Sequence, residues 1–280
     1  MRITLVLVAM VLSVAAWAET PSQRDIQTPA TGTGLVVPAN WKTLAPWRTN
    51  YGIADEEIPE YFDWRFYAFG LTPVKRQGWN DCWAQGTVGV MESLIKIKMR
   101  EEVNVSVQEV ISCSGSGSAA NGGYFAHAYH QKKGAVTNDD FPYVARDVAC
   151  KKGLTPRYQL ARWGYVGASN RKPTVSEIKQ AIMAHGPVGV TIYANNALQN
   201  FTNNSGVFKG CGNGGTNHIE VIVGWNDREG TNGVWFVRNS WGTSHGDQGY
   251  AKIPYNCSRV GETATWADLQ INDDALASFW

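Results

Sequence analysis

The sequence predicts an α+β protein with two unlike lobes. Three observations carry this prediction: helix-like periodicity comes first along the chain, strand-like runs come second, and clusters of Gly and Asn separate those runs. A chain of 280 residues is long enough to bury one large core or two lobes. A formal net charge of +1 argues against a nucleic-acid-binding surface.

The helical part of the chain begins at Cys82. From there to about Met99, apolar residues recur at three- and four-residue steps and the end of the segment is basic, which predicts a long helix. Ser106 and Glu109 have the spacing of a capping box and predict a second helix start. Further helices are predicted at 122–134 and 174–187, each closed by a glycine or a Gly-Pro pair.

The strand-like runs follow these helices. They are VGVTIY (188–193), HIEVIVGW (218–225), GVWFVRNSW (233–241) and GYAKIP (249–254).

Residues 1–18 have the features of an export signal: an early Arg2, a short apolar run, and small residues at Ala16 and Ala18. The run is shorter than the ~18 apolar residues of a membrane span, so we expect no membrane attachment once the signal is removed. We expect a monomer that is secreted or periplasmic, or that enters a lysosome-like compartment in a eukaryote. Residues 19–57 are rich in Pro, Gly and Thr and predict a short pro-segment or a loosely attached arm.

Cysteine chemistry centres on Cys82, because a thiol at a helix N-terminus feels the positive end of the helix dipole, which favours the thiolate. The chain has five cysteines, and in an exported protein an odd number leaves one thiol free or paired between chains. None of the spacings is C-x-x-C, so a zinc site is not expected.

Among the five histidines, His218 is the candidate base. It opens a predicted strand after a glycine-rich loop, and Asn239 at the end of the next strand is placed to orient an imidazole. His127 and His130 lie on a predicted amphipathic helix and are expected to be solvated or capping. His185 is expected to meet the terminal carbonyls of its helix.

Four motifs in this order resemble the papain-like cysteine peptidases: QGWNDCWA (77–84), CSGSGSAANGGY (113–124), NHIEVIVGW (217–225) and NSWGTSHGDQGY (239–250). IPEYFDWR (58–65), followed by TPVKRQG (72–78), is similar to their mature N-terminus.

The resemblance spans roughly residues 58–257 and implies a two-lobed catalytic domain over 58–280. Its helical lobe would cover about 72–165. Its antiparallel, β-barrel-like lobe would cover about 58–71 and 166–272, with the active-site cleft between the lobes.

The resemblance also implies a secreted endopeptidase that works through an acyl-enzyme on polypeptide substrates, without metal or cofactor. Cys82 would be the nucleophile and His218 its thiolate–imidazolium partner. Asn239 would orient the imidazole under the cover of Trp241, and Gln77 would donate to the oxyanion. The absence of a long insertion between Cys113 and Asn121 favours endopeptidase over exopeptidase action.

The substrate-binding residues implied by the resemblance are Gly122, Gly123, Tyr124, Asn217, Ile219, Trp241 and Glu262. Ile219 would narrow the pocket for the second substrate residue upstream of the cut. Glu262 stands where some family members carry a glutamate that accepts arginine, although a solvated surface carboxylate is the alternative. The disulfide pairs implied are Cys113–Cys150 and Cys211–Cys257, which leave Cys82 unpaired.

Two departures from the family pattern bear on the site. The loop from Gln77 to Cys82 is one residue shorter than usual, and Asp81 would disfavour the thiolate if it pointed inward. Glu220 shares a strand face with His218 by the period of two, so it either tunes the imidazole or is satisfied by nearby donors.

The pro-segment is also short. We expect it to act as the protein's own inhibitor: Trp41, Trp47 and Tyr51 would help lay the arm across the cleft until it is cut near Glu57. Two alternatives to a general endopeptidase stay open: a catalytically degenerate relative that only binds peptide, and a narrow-specificity processing peptidase or transpeptidase.

Overall fold

The structure is a computed structural model that describes residues 33–67, 70–202 and 206–271. The predicted export signal at 1–18 and the first part of the predicted pro-segment lie outside these residues. Within the described ranges, no helix has both the length and the apolar character needed to cross a bilayer.

The fold contains one long helix, several shorter helices and a large sheet. The helices are α1 (Cys82–Met99), α2 (Val107–Cys113), α3 (His127–Lys133), α4 (Val175–His185) and α5 (Asn196–Gln199). The strands are β1 (Trp47–Arg48), β2 (Tyr61–Asp63), β3 (Gly117–Ser118), β4 (Gly122–Gly123), β5 (Leu160–Val166), β6 (Val188–Ile192), β7 (His218–Asn226), β8 (Val234–Arg238), β9 (Tyr250–Pro254) and β10 (Ala264–Leu269).

Eight strands form one sheet in the order β1-β5-β10-β6-β7-β8-β9, with β2 paired to β7. All of its pairs are antiparallel except β1 on β5. β3 and β4 form a separate two-stranded sheet. The α+β class predicted from the order of the patterns is confirmed.

Strand β7 connects the two hydrophobic cores of the molecule. Ile219 and Val221 on one face join the core built around α1, whereas Ile222 on the other face joins the core under α4. A Cβ on Gly86 would lie 2.4 Å from Cγ2 of Ile219, so only glycine lets α1 approach β7 this closely. This close approach brings the first turn of α1 beside the first residues of β7.

The predicted helix starts at Cys82, Ser106 and Thr174 are confirmed. α1 runs from Cys82 to Met99, and the Ser106 hydroxyl accepts the N–H of Glu109 at 3.0 Å to cap α2. The Thr174 hydroxyl caps α4 in the same way. Each start is set by local chemistry, which is why the sequence alone predicts it.

The helix predicted over 122–134 begins later, at His127, because Gly122 and Gly123 pair instead with Ser118 and Gly117. Four strands of the sheet, β1, β2, β5 and β10, lie outside the predicted strand-like runs. Strand β5 places residues 160–165 in the sheet, within the range expected for the helical lobe.

The expectation for three histidines is wrong. His127 and His130 are fully buried, and Nε2 of His127 lies 3.1 Å from the Thr265 hydroxyl. Nδ1 of His185 lies 2.6 Å from a carboxylate oxygen of Asp268, so this ring meets β10 rather than the carbonyls of its own helix.

The arm from residue 33 to residue 57 is packed on the fold, so the expectation of loose attachment is wrong. β1 pairs with the edge of the sheet at β5, and the Trp47 ring stacks on Tyr165 at 4.6 Å. Trp41 meets the same Tyr165 edge-on at 5.5 Å. Tyr51 is 7% exposed and packs against the His185 ring at 5.5 Å.

Two disulfides join Cys113 to Cys150 and Cys211 to Cys257. These are the two pairs that the resemblance implies. Cys82 is the free cysteine of the described residues, and it is buried.

Candidate active site

Cys82 is the first residue of α1, and its side chain is fully buried. The backbone N–H of Ile219 points at its sulfur. Because Ile219 directly follows His218, the thiol lies beside the start of β7. The structure therefore brings Cys82 next to the first residues of β7, where His218 lies.

His218 is held between Asn239 and Trp241. Its Nε2 lies 3.1 Å from Oδ1 of Asn239, and because that oxygen only accepts, Nε2 carries the hydrogen. The Trp241 indole stacks on the imidazole with 4.5 Å between ring centroids, and His245 packs edge-on behind the indole at 4.8 Å. Nδ1 has no hydrogen-bond partner among the described residues. The ring thus has one nitrogen fixed by Asn239 and the other available to take a proton.

Burial keeps both reacting groups neutral in this state. It raises the pKa of the Cys82 thiol far above its usual range, against the opposing effect of the N–H groups of Ile219 and Trp83. The carboxylates of Asp81 and Glu220 raise the thiol pKa further. Burial also lowers the pKa of His218 to about 4, although the hydrogen bond to Asn239 acts in the other direction.

The cleft is filled by residues 34–36, called here the cleft segment. The N–H groups of Gly34 and Leu35 donate to the Asn217 carbonyl at 3.0 and 3.1 Å. The Gly123 N–H donates to the Gly34 carbonyl at 2.8 Å, and the Val36 N–H donates to the Gly123 carbonyl at 2.9 Å. The segment is therefore hydrogen-bonded almost as an added strand, through its backbone groups.

Steric fit limits this part of the cleft to glycine. A Cβ on Gly34 would lie 2.1 Å from the Asn80 carbonyl oxygen. Gly122 has φ +83°, and a Cβ there would lie 2.3 Å from the Gly34 carbonyl oxygen. Either substitution would move the cleft segment away from its hydrogen-bond partners.

The Gln77 side chain makes hydrogen bonds that hold the shortened loop before Cys82. Nε2 of Gln77 donates to the Trp79 carbonyl at 2.8 Å, and the Ser240 hydroxyl donates to Oε1 of Gln77 at 2.6 Å. One hydrogen of the amide expected to serve the oxyanion is thus directed into the loop. Its role in catalysis stays a prediction.

Asp81 braces the same loop through hydrogen bonds to its buried carboxylate. Its carboxylate accepts the Tyr143 hydroxyl at 2.6 Å and the Gln85 amide at 3.1 Å. The Tyr143 oxygen in turn accepts the N–H of Gly78 at 2.7 Å. Burial raises the pKa of Asp81, with these hydrogen bonds acting against it. These hydrogen bonds hold the shortened loop in place.

Sequence reasoning missed Ser240 and Tyr143. Ser240 stands next to Asn239 in the NSW motif, so its position was a usable signal. Nothing in the sequence connects Tyr143 to Asp81, because the contact spans 62 positions.

The predicted substrate-binding residues fall into two groups. Gly122, Gly123 and Asn217 contact the cleft segment, and Trp241 covers the imidazole, so these lie in the cleft. Tyr124 is 2% exposed and has the arm's Trp41 ring 6.4 Å from its own.

The other two residues differ from these. Ile219 is fully buried with its side chain against Gly86 of α1. Glu262 forms an ion pair with Arg259 at the surface, its side chain 33% exposed, which agrees with the alternative of a solvated carboxylate.

Glu220 has neither of its carboxylate oxygens hydrogen-bonded within the described residues, although it is 2% exposed. The expectation that nearby donors satisfy it is wrong. No group of three or more His, Cys, Asp or Glu residues in the described ranges is arranged to hold a metal ion.

The comparison with protein families decides the assignment. The model of the papain family cysteine proteases matches residues 58–269, which includes every residue of the site described above except the cleft segment and its arm. The chain belongs to the papain family of cysteine proteases.

Relatives of this papain-family chain include mouse (Mus musculus) cathepsin K, 32% identical over 207 residues that cover 71% of this chain and 60% of the relative. A cysteine protease of Blomia tropicalis is 31% identical and is matched over 76% of this chain and 66% of its own length. The chain thus spans about 60% of the length of the mouse relative.

Solved structures show the same fold. Procathepsin L2 from the larval midgut of Tenebrio molitor superposes with a TM-score of 0.74 at 25% identity, covering 86% of this chain and 81% of that one. The Carica candamarcensis cysteine protease CMS1MS2 superposes with a TM-score of 0.66 at 25% identity, covering 75% of this chain and 99% of that one.

Proposed function

We propose that this chain is a secreted cysteine endopeptidase held latent by its own cleft segment. The observation that carries the proposal is the placement of Cys82 at the start of α1, against the backbone next to a His218 ring that Asn239 fixes through Nε2. That arrangement supplies a nucleophile, a base and an orienting amide in one cleft.

In the proposed reaction, Nδ1 of His218 takes the thiol proton and the sulfur of Cys82 attacks a peptide carbonyl carbon. The C–N bond then breaks, and the proton on Nδ1 passes to the leaving amine. Water attacks the resulting thioester, gives one proton to Nδ1 and releases the carboxylic acid. The thiol recovers its proton and the site returns to its starting state.

The developing oxyanion has one donor in the backbone N–H of Cys82, which as the first helical residue has no intrahelical partner. Gln77 is the second proposed donor. Losing one such donor costs about 10²–10³ in turnover. Because one amide hydrogen of Gln77 is given to Trp79, we expect the loop to adjust when substrate binds.

Latency follows from the hydrogen bonds of the cleft segment. It binds the backbone of Gly123 and Asn217, the groups proposed to bind an extended peptide substrate, so both cannot be bound at once. Val36 and Val37, at its end, are 52% and 44% exposed and accessible to cleavage. We therefore place the activating cut after this pair and before Trp41, rather than near Glu57.

Secretion is supported by the two disulfides, which persist in oxidising compartments, together with the export-signal features of residues 1–18.

A second candidate function is peptide binding without cleavage. It is favoured by the buried, neutral state of Cys82 and His218 and by the closed loop at Gln77. In this reading the same cleft would hold peptides as it holds the cleft segment.

Cleavage of a denatured protein mixture, with product ends read by mass spectrometry, separates the two. Processed protein is expected to cut internal bonds, and Cys82→Ser and His218→Ala variants of normal stability are expected to lose at least about 10³ of the rate. Retained cleavage in Cys82→Ser would overturn the assignment. Peptide binding without any product from the wild type would establish the second candidate.

A further inference from the structure

Glu220 is a buried carboxylate beside the proposed base. It lies two residues after His218 on β7, so both side chains leave the same face of the strand. One of its oxygens is 3.6 Å from Nε2 of His218, the nitrogen that also faces Asn239. Neither oxygen has a hydrogen-bond partner in the described chain.

The other charged groups near Glu220 are already bound elsewhere. Lys75 and Arg238 line the same cavity, but their nitrogens lie 3.0 and 3.8 Å from Glu92 of α1, and no ion pair among the described residues joins either of them to Glu220. Opposite Glu220 on β6 stands the apolar Val190.

Cys82 on α1 is the remaining titratable group beside Glu220, whose carboxylate raises the pKa of the Cys82 thiol. His218 is therefore the described group best placed to carry a positive charge for Glu220.

Glu220 also has no hydrogen bond among the described residues. Gln85 and Asn239 line the same cavity of about 20 Å³, room for about one water molecule, and each has an unpartnered polar atom within the described part of the chain. Burial raises the pKa of Glu220 to about 8. A buried carboxylate without hydrogen bonds is costly to the fold, and such costs are typical of functional sites.

We propose that Glu220 is a positioning residue for His218: its carboxylate attracts the imidazolium and holds the ring toward Asn239 while Cys82 is ionised. This inference rests on the proposed roles of Cys82 and His218. Asn239 offers the ring only a dipole, whereas Glu220, once ionised beside the imidazolium, offers a full charge.

The sign of the effect follows from the charge. Replacing Glu220 by glutamine removes a negative charge from beside the imidazolium, so the imidazolium loses its proton at a lower pH. The same change makes the thiol easier to ionise. Both limbs of a pH–rate profile therefore move to lower pH, and the basic limb moves more because Glu220 lies beside the imidazole.

The test is the pH dependence of Cys82 alkylation by iodoacetamide, on chains trimmed by an added serine protease and checked by mass spectrometry. In Glu220→Gln we expect the basic limb to fall by about 1–3 pH units. Glu220→Asp, which restores the charge further from the ring, is expected to lie between the two. Glu60→Gln, at an exposed carboxylate paired with Arg228, is the matched control and is expected to leave both limbs in place.

A thermal melt separates positioning from a structural role. Because the Glu220→Gln change removes a buried carboxyl group that has no hydrogen-bond partner in the described chain, at nearly constant volume, the melting temperature is expected to stay or to rise. Unmoved limbs, or a lower melting temperature with a uniform loss of rate at every pH, would overturn the proposal. Alkylation does not require peptide cleavage, so failure of the proposed peptidase activity would be seen separately.

Discussion

The arm of this protein has two parts that are held by different forces. The cleft segment, residues 34–36, is bound by backbone hydrogen bonds, and its side chains are a glycine, a half-buried leucine and an exposed valine. The part from Trp41 to Glu57, called here the anchored part, is bound by aromatic packing and a sheet pairing.

The kind of contact determines which part can be released. Backbone hydrogen bonds to the cleft can be replaced by those of a peptide or of water at little net cost, because each contributes only about 0.5–1.5 kcal/mol. Buried aromatic area has no such substitute. We therefore expect the cleft segment to leave and the anchored part to stay as an edge of the sheet.

The largest effect is expected from Trp47→Ala in the anchored part. Loss of the ring stacked on Tyr165 and in contact with Trp41 should lower the free energy of unfolding by about 3 kcal/mol. Denaturant unfolding measures it. Trp79→Ala, at a side chain 50% exposed, is the matched control and should change stability by less than about 0.5 kcal/mol. Equal losses of unfolding free energy in the two variants would mean that aromatic packing does not hold the anchored part on the sheet.

Gly34→Val should act on the cleft segment with little effect on global stability. The added side chain meets the Asn80 carbonyl, and overpacking of this kind costs about 1–3 kcal/mol, so Cys82 in the uncut chain should react about 10–100-fold faster with a thiol-directed peptidyl trap. Gly215→Val, where a Cβ meets nothing within 4 Å, should react like the wild type. An unchanged rate in Gly34→Val would show that the segment does not control access.

Leu35→Ala should have a smaller effect in the same assay. The Leu35 side chain is half-buried against the core around α1, so its loss should weaken the cleft segment by about 1 kcal/mol and speed labelling about fivefold. Val36→Ala, at an exposed neighbour, should leave the rate unchanged. Similar labelling rates in both variants would mean that only backbone hydrogen bonds hold the cleft segment.

Acid should lower the free energy of unfolding slightly, through the contacts of Asp268 on β10 with His185 and Arg162. Burial raises the pKa of Asp268, but hydrogen bonds from His185 and Arg162 outweigh it and hold the pKa below its usual range. A depressed carboxyl pKa gives stability that is present above the unfolded-state value and lost as pH falls through the folded-state value. For this partly exposed pair the loss should be about 0.2–1 kcal/mol, read from unfolding at a series of pH values. Asp268→Asn should remove this loss of stability at low pH. An unchanged dependence of the unfolding free energy on pH would contradict the role given to Asp268.

Local chemistry made part of this architecture predictable from sequence. α1, with its glycines and closing basic turn, and the caps at Ser106 and Thr174 depend on residues a few positions apart. The meeting of His218 and Asn239 follows from two neighbouring antiparallel strands, β7 and β8. The family motifs pointed to the same pair.

What the sequence did not predict depends on distant partners. β1 has two residues and no periodicity of its own, and it exists because β5 offers a free edge. His127 looked exposed on a short amphipathic helix, but Thr265 of β10 covers it. The brace between Asp81 and Tyr143, and the lack of hydrogen bonds to Glu220 in the described chain, likewise arise only when separate elements pack together.

The most direct test of the two-part arm is the N-terminus of the molecules that react at Cys82. Secreted protein would be labelled with a thiol-directed peptidyl trap, and the intact mass and N-terminal sequence of the labelled molecules read. We expect labelled chains to begin between Val37 and Trp41 and to keep the anchored part. Labelled chains that begin near Ile58 and carry no residue of the anchored part, or that still begin at Glu19, would contradict the account.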